Sequence, residues 1–166
     1  AEIIRQGDFD CVIALGGGSP IDTAKAMTLL AHGGGSIRDY KVPYQANDSG
    51  LPIIAIPTTA GTGSEVTKVT VITDKASDEK MLIMGLGCLP AAAIVDYELT
   101  YSVPYRTTAD TGIDSLTHAI EAYVSAKHNP YTDTLALSAM GLIARNIRSA
   151  CNEPDNKAAR EAMMLA

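Results

Sequence analysis

The sequence predicts an α/β domain built on a parallel sheet, followed by an all-α domain. Three observations carry this. Two short apolar runs, residues 9–15 and 51–56, are continuous rather than alternating, the pattern of strands buried on both faces of a parallel sheet. The first run leads through Gly16-Gly17-Gly18-Ser19-Pro20 into a helical stretch, residues 21–31, which makes strand, glycine turn and helix in sequence. From Thr107 onward the pattern is helical throughout. The division is placed between residues 103 and 104, so that 1–103 form the α/β domain and 104–166 the start of a helical one.

The elements follow in order. Ser19 suits a helix N-cap and Pro20 a first turn. The glycines let backbone N–H groups approach a ligand closely, and the helix start favours an anion, so the turn reads as a diphosphate cradle or as a tight βα turn that needs glycine for its dihedrals. Gly33-Gly34-Gly35 caps the helix, and residues 37–50 read as a surface loop. After the second strand, residues 57–67 (PTTAGTGSEVT) crowd hydroxyls and glycines into one loop, suited to phosphate or ribose, with a helical turn begun near Glu65 as the alternative. Residues 68–73 and 80–84 read as a hairpin, and 92–96 as one more strand, with Asp96 capping the turn that follows. Asn129-Pro130 starts a helix over residues 132–149, and Pro154 starts another. His32 and His128 read as loop residues, and Tyr123 and Tyr131 as packing groups.

Composition excludes several function classes. The chain has 166 residues, 46% of them apolar, which is enough for a core. A net charge of −6 with no basic run argues against nucleic acid or an anionic membrane as partner. The most apolar stretch, 51–57, is far too short to span a bilayer, and the opening residues carry no signal-peptide apolar region. Cys11, Cys88 and Cys151 are widely spaced, neither a disulfide framework nor a metal knuckle, which fits a reducing, cytoplasmic setting. Residues 2–6 read as the tail of a helix and 157–165 as a helix without a stop signal, so the chain reads as a fragment truncated at both ends.

Asp114 and His118 are four residues apart in an uninterrupted helical pattern, so they project from one face, one turn apart. A carboxylate and an imidazole held that way can grip one divalent metal, or can pair with each other on a helix surface. No Ser-His-Asp arrangement and no Cys beside a His stands near them.

Three stretches in register resemble one family. Residues 16–25 (GGGSPIDTAK), 57–67 (PTTAGTGSEVT) and 112–125 (GIDSLTHAIEAYVS) are similar to segments of the iron-containing, group III alcohol dehydrogenases, and the resemblance covers essentially the whole chain. It implies a Rossmann-like nucleotide-binding domain before the helical one. Gly17, Gly18, Ser19 and Asp22 would line the diphosphate and nicotinamide ribose of NAD or NADP. Thr58, Thr59, Thr62, Ser64 and Thr67 would continue that site, Lys80 would contact the cofactor ribose, and Leu99 would close over the cofactor. Asp114 and His118 would be the catalytic metal's first two ligands, Fe2+ or alternatively Zn2+, the family's other two being histidines on later helices. The implied reaction is hydride transfer between a short-chain alcohol or diol and NAD(P), with the metal a Lewis acid on the alcohol oxygen. The family commonly pairs, implying a homodimer or higher homo-oligomer. Two rival readings are a zinc enzyme similar to glycerol dehydrogenase or dehydroquinate synthase, and a non-catalytic nucleotide-binding fragment.

Overall fold

The structure, a computed structural model, describes residues 1–166, which divide into two packing units. The first comprises Ala1–Pro57 with Ser64–Ile94, the second Thr58–Gly63 with Val95–Ala166. The hydroxyl-rich loop 58–63 and residues 95–103, read from sequence with the α/β part, thus pack among the helices.

In the first unit a short helix α1 (Glu2–Gln6) precedes strand β1 (Val12–Gly16) and helix α2 (Gly18–Gly33). Strand β2 (Ile53–Pro57) pairs parallel with β1, Val12 opposite Ile53 and Gly16 opposite Pro57. The hairpin β3 (Val69–Asp74) and β4 (Glu79–Met84) is antiparallel, and β5 (Ala92–Ala93) joins the far side of β2, giving the order β1-β2-β5. Ala14, Ile53 and Ala55 form a core with Ile21 and Ala24 of α2. The opposite face of β1 departs from the expected double burial: Ile13 and Leu15 are 64% and 59% exposed, because α2 covers one face only. Three further boundaries shift. Helix α2 starts one residue after its N-cap Gly17, which places Ser19 and Pro20 inside the first turn. The strand read over 92–96 shrinks to two residues, with Asp96 accepting from the Glu98 N–H as the cap of a 3-10 turn. The loop 37–50 contains a 3-10 turn closed by a Ser36–Asp39 capping box, and it buries Ala46 in a second core with Leu29, Ile83 and Cys88.

The second unit holds helices α3 (Tyr105–Val124), α4 (Pro130–Asn152) and α5 (Lys157–Leu165). Asn129 caps α4 by accepting from the Tyr131 and Thr132 N–H groups, with Pro130 at the first position as the sequence implies. Helix α5 begins three residues after Pro154, because Asn156 supplies the capping oxygen to Ala159 N–H. Ile143, Ala150, Ala159 and Met163 make the core, joined by Ala60 and Leu116. Helix α3 buries Thr108, Gly112, Ser115 and Ala119, while its large apolar residues Ile113, Ile120, Tyr123 and Val124 are exposed. Its contact stripe is therefore made of small residues, which let helices approach closely. Tyr123 and Tyr131, expected to pack, are both exposed in this chain. No helix is long and apolar enough to cross a membrane.

Cys88 is fully buried, and burial pushes its thiol up to about 11 from the ordinary value near 9. The unfolded chain therefore loses this proton first as pH rises, so stability is full below about pH 8.5 and falls until the folded thiol ionises. The wild-type urea midpoint should drop between pH 9 and 11 by an amount equivalent to about 2–3 kcal/mol more than that of Cys88→Ala.

Candidate functional site

In the α/β unit the glycine turn joins β1 to α2. Gly16 has φ of +147°, and a Cβ there would meet the Pro20 ring at 2.6 Å, so glycine is required. The N-cap Gly17 contributes no side-chain cap, which leaves the first amides of a 16-residue helix without a protein side-chain acceptor. That is the donor set an anionic diphosphate needs. Gly17 and Gly18 are half-buried and Ser19 is exposed.

The second turn of α2 is tied to the segment after the hydroxyl loop. Asp22 Oδ1 accepts from Ser64 Oγ at 2.6 Å, and its Oδ2 accepts from Val71 N at 3.0 Å. Thr70 Oγ1 donates to the Asp22 carbonyl at 2.9 Å. Lys25, on the same face one turn on, is 0% exposed. Its ammonium donates to Val69 O at 2.7 Å, Thr67 O at 3.0 Å and Thr67 Oγ1 at 3.2 Å. Burial pushes the Lys25 pKa down, partly offset by the charge of Asp22. Asp22, Ser64 and Thr67 thus meet in one network around Lys25, the last residue of the 16–25 segment, to which the sequence reading assigns no role. Periodicity could have found it. Ile21, Ala24, Lys25, Thr28 and Leu29 recur on the buried stripe of α2, and a lysine there is the anomaly. Lys80 is exposed on β4 opposite Thr73.

In the helical unit Thr58, Thr59 and Thr62 are half-buried on the loop 58–63. Gly61 lies so close to α3 that a Cβ would fall 2.2 Å from the Thr111 carbonyl oxygen. Leu99 sits on the 3-10 turn Tyr97–Thr100 and is partly exposed. Arg160, nearly fully buried, donates to Pro154 O at 3.0 Å and Thr108 Oγ1 at 3.1 Å, holding α5 to α3. His32 ends α2 rather than lying in a loop, and His128 Nδ1 is 3.1 Å from Asp133 Oδ2.

Asp114 and His118 project together from α3, with Oδ1 and Nε2 3.9 Å apart and side chains about half exposed (49% and 52%). That separation is too long for a hydrogen bond, though within ion-pair reach when His118 is protonated. One oxygen and one nitrogen donor, a helical turn apart and open to solvent, fit two positions of a divalent metal's coordination sphere. No third His, Cys, Asp or Glu joins them in this chain.

An α/β unit with an open glycine turn and a helical unit bearing a carboxylate–imidazole pair are the features to set beside known proteins. Residues 1–97 match the model for iron-containing alcohol dehydrogenase, and residues 108–166 match the C-terminal model of the Fe-containing alcohol dehydrogenase family. The chain belongs to the iron-containing alcohol dehydrogenase family. It is 47% identical to the probable alcohol dehydrogenase EutG of Escherichia coli strain K12, over 98% of this chain and 41% of that protein. It is 44% identical to the NAD-dependent methanol dehydrogenase of Bacillus methanolicus, over 99% of this chain and 43% of that one. The crystal structure of sulfoacetaldehyde reductase from Bifidobacterium kashiwanohense in complex with NAD+ superimposes with a TM-score of 0.92 at 46% identity, covering 98% of this chain and 44% of that one. The chain spans about two fifths of the length of the curated relatives it matches.

Gly61→Ala should push the loop 58–63 off α3, since a helix carbonyl cannot yield, and cost about 1–3 kcal/mol in thermal or urea unfolding. Gly141, inside α4, would place a Cβ 3.3 Å from the mobile end of Arg145, so Gly141→Ala should raise stability by about 0.5–1 kcal/mol.

Proposed function

We propose that the natural protein is a metal-dependent alcohol dehydrogenase that moves a hydride between a short-chain alcohol or diol and NAD or NADP. The observation that carries this is the Asp114–His118 pair, one turn apart and not hydrogen-bonded to each other, in a chain of this family that also has an open glycine turn. Relatives support it by their printed activities: one is an NAD-dependent methanol dehydrogenase, another an NADPH-dependent butanol dehydrogenase, and a third was crystallised as a 1,3-propanediol oxidoreductase.

The roles divide by chemistry. The Gly17 and Gly18 region at the start of α2 binds the diphosphate through backbone N–H groups. Ser19, Asp22, Thr58, Thr59, Thr62, Ser64 and Thr67 supply hydroxyl and carboxylate partners for the riboses, Lys80 adds a cation there, and Leu99 excludes water from the nicotinamide side. Asp114 and His118 are the residues that hold Fe2+. When bound there, the metal would supply Lewis acidity toward an alcohol oxygen and the dinucleotide would supply the hydride chemistry. Asp114 and His118 both stand on α3 and are open to solvent, so a hydroxyl proton would have water to leave to. Two protein donors leave a metal under-coordinated, and no third His, Cys, Asp or Glu of residues 1–166 joins them. The protein works in the cytoplasm as a homodimer or higher homo-oligomer.

The intact gene product, purified with its metal, should reduce NAD+ or NADP+ with at least one short primary alcohol or diol and lose this on chelation. Asp114→Asn and His118→Ala should each lower bound iron and cut kcat more than about 100-fold, beyond the loss typical of an outer-sphere partner. Full turnover by metal-stripped protein would sink the assignment.

A further inference from the structure

We propose that the groove between the C-terminal end of α2 and the loop 37–50 is a binding site for a small organic cation, one built on an alkylammonium group. The groove is separate from the nucleotide and metal residues named above. Helix α2 has 16 residues, so its ends stand about 24 Å apart, and the groove lies at the end away from the glycine turn. All of its lining belongs to one packing unit.

Shape comes first. The groove has a volume of about 380 Å³, within the range of small-molecule sites. Leu29 and Ala46, both buried in the core shared with Ile83 and Cys88, give it an apolar floor. Tyr40 and Tyr44 stand in its wall, edge to face, with ring centroids 5.9 Å apart. The Tyr40 hydroxyl donates to Gly34 O at 3.0 Å, which ties the loop to the end of the helix. A Cβ at Gly33 would fall 2.2 Å from that hydroxyl, so glycine there is what lets the ring seat. At Gly34, where φ is +72°, nothing lies within 4 Å of where a Cβ would stand, and the groove stays open.

Charge decides the class of occupant. Asp39 and Asp48 line the groove, and no lysine or arginine does. The last turn of α2 adds the negative end of its dipole. The two cations of the loop are turned away and committed elsewhere: Arg38 pairs with Asp74 and Glu79 of the hairpin, and Lys41 pairs with Glu79. Asp39 gives one oxygen to the Ser36 N–H at 2.8 Å, and the Asp48 carboxylate has no hydrogen-bond or ion-pair partner. Burial pushes the Tyr40 phenol above its ordinary pKa, and Tyr44, Asp39 and Asp48 push the same way, so the negative potential reaches the ring. A metal ion would need donors that converge, and His32, Asp39 and Asp48 do not form such a set. An alkylammonium needs only a carboxylate near its charge, an aromatic face beside it and apolar surface under its carbons, and this groove offers all three.

The test is calorimetric titration of the intact protein with tetramethylammonium chloride and with 1,4-diaminobutane, against sodium chloride and calcium chloride at equal ionic strength. Both organic cations should bind saturably, at low-millimolar concentration or tighter, and sodium should not. Asp48→Asn should weaken binding about fivefold and Tyr44→Leu about threefold; both side chains are exposed, so the fold survives either change. Saturating NADH should leave the affinity within about twofold, since it is assigned to the other end of α2. Absence of saturable binding by either organic cation overturns the proposal. Binding that neither Asp48→Asn nor Tyr44→Leu weakens places the cation elsewhere and overturns it equally. Calcium that binds as tightly, and is lost with Asp48→Asn but kept in Tyr44→Leu, makes the groove an acidic patch for inorganic ions and overturns the organic-cation assignment. None of these outcomes bears on the dehydrogenase reading, which uses none of these residues.

Discussion

A buried ammonium must find oxygens, and in this chain that requirement adds a directional tie between helix α2 and the hairpin, which already share the apolar core of Leu29 and Ile83. Helix α2 packs on the parallel strands through Ile21 and Ala24, an apolar contact indifferent to small slips. Its next residue, Lys25, cannot slip, because leaving Val69 O and Thr67 would strand a charge in the interior. The hairpin β3–β4 is thereby registered to the helix, and with it the end of the hydroxyl-rich loop. Non-directional burial supplies the adhesion, and three hydrogen bonds supply the address.

Much of this was legible in the residues. The strand–glycine turn–helix unit, the second parallel strand and the hairpin follow from run length and alternation, and the Asn129-Pro130 start of α4 follows from capping chemistry. Asp114 and His118 share a face because i,i+4 spacing is helix geometry and nothing else needs to be known. What was hidden depended on neighbours. Continuous apolar runs suggest strands covered on both sides, yet whether Ile13 and Leu15 are covered depends on what lies over β1, which a local pattern does not contain. Pro154 looked like a helix start, but Asn156 offers the better oxygen for the orphan amides. The hydroxyl loop read as an extension of the α/β part, yet Ala60 and Gly61 lie against the helical core, because their small size permits it.

The two candidate sites differ in kind. The nucleotide side is rich in internal partners: Asp22 takes the Ser64 hydroxyl, and Thr67 is held by Lys25. The metal side is sparse, with two exposed donors that do not hydrogen-bond each other and no third companion in this chain. Pre-ordered partners and a pair of exposed donors ask different things of a ligand. The first receives a ligand into a prepared shape, and the second is completed by whatever brings the remaining donors.

The seating of α3 bears on that second case. Its buried stripe is Thr108, Gly112, Ser115 and Ala119, and at Gly112 the side chains of Ile147 and Met163 come within about 3 Å of where a Cβ would stand. A helix lodged by its smallest residues cannot roll about its axis, for a turn of even one residue would drive Ile113 or a threonine into space that holds no extra atoms. The compass bearing of Asp114 and His118 is therefore decided by a glycine on a different flank, and any adjustment of the two side chains must come from their own torsions alone.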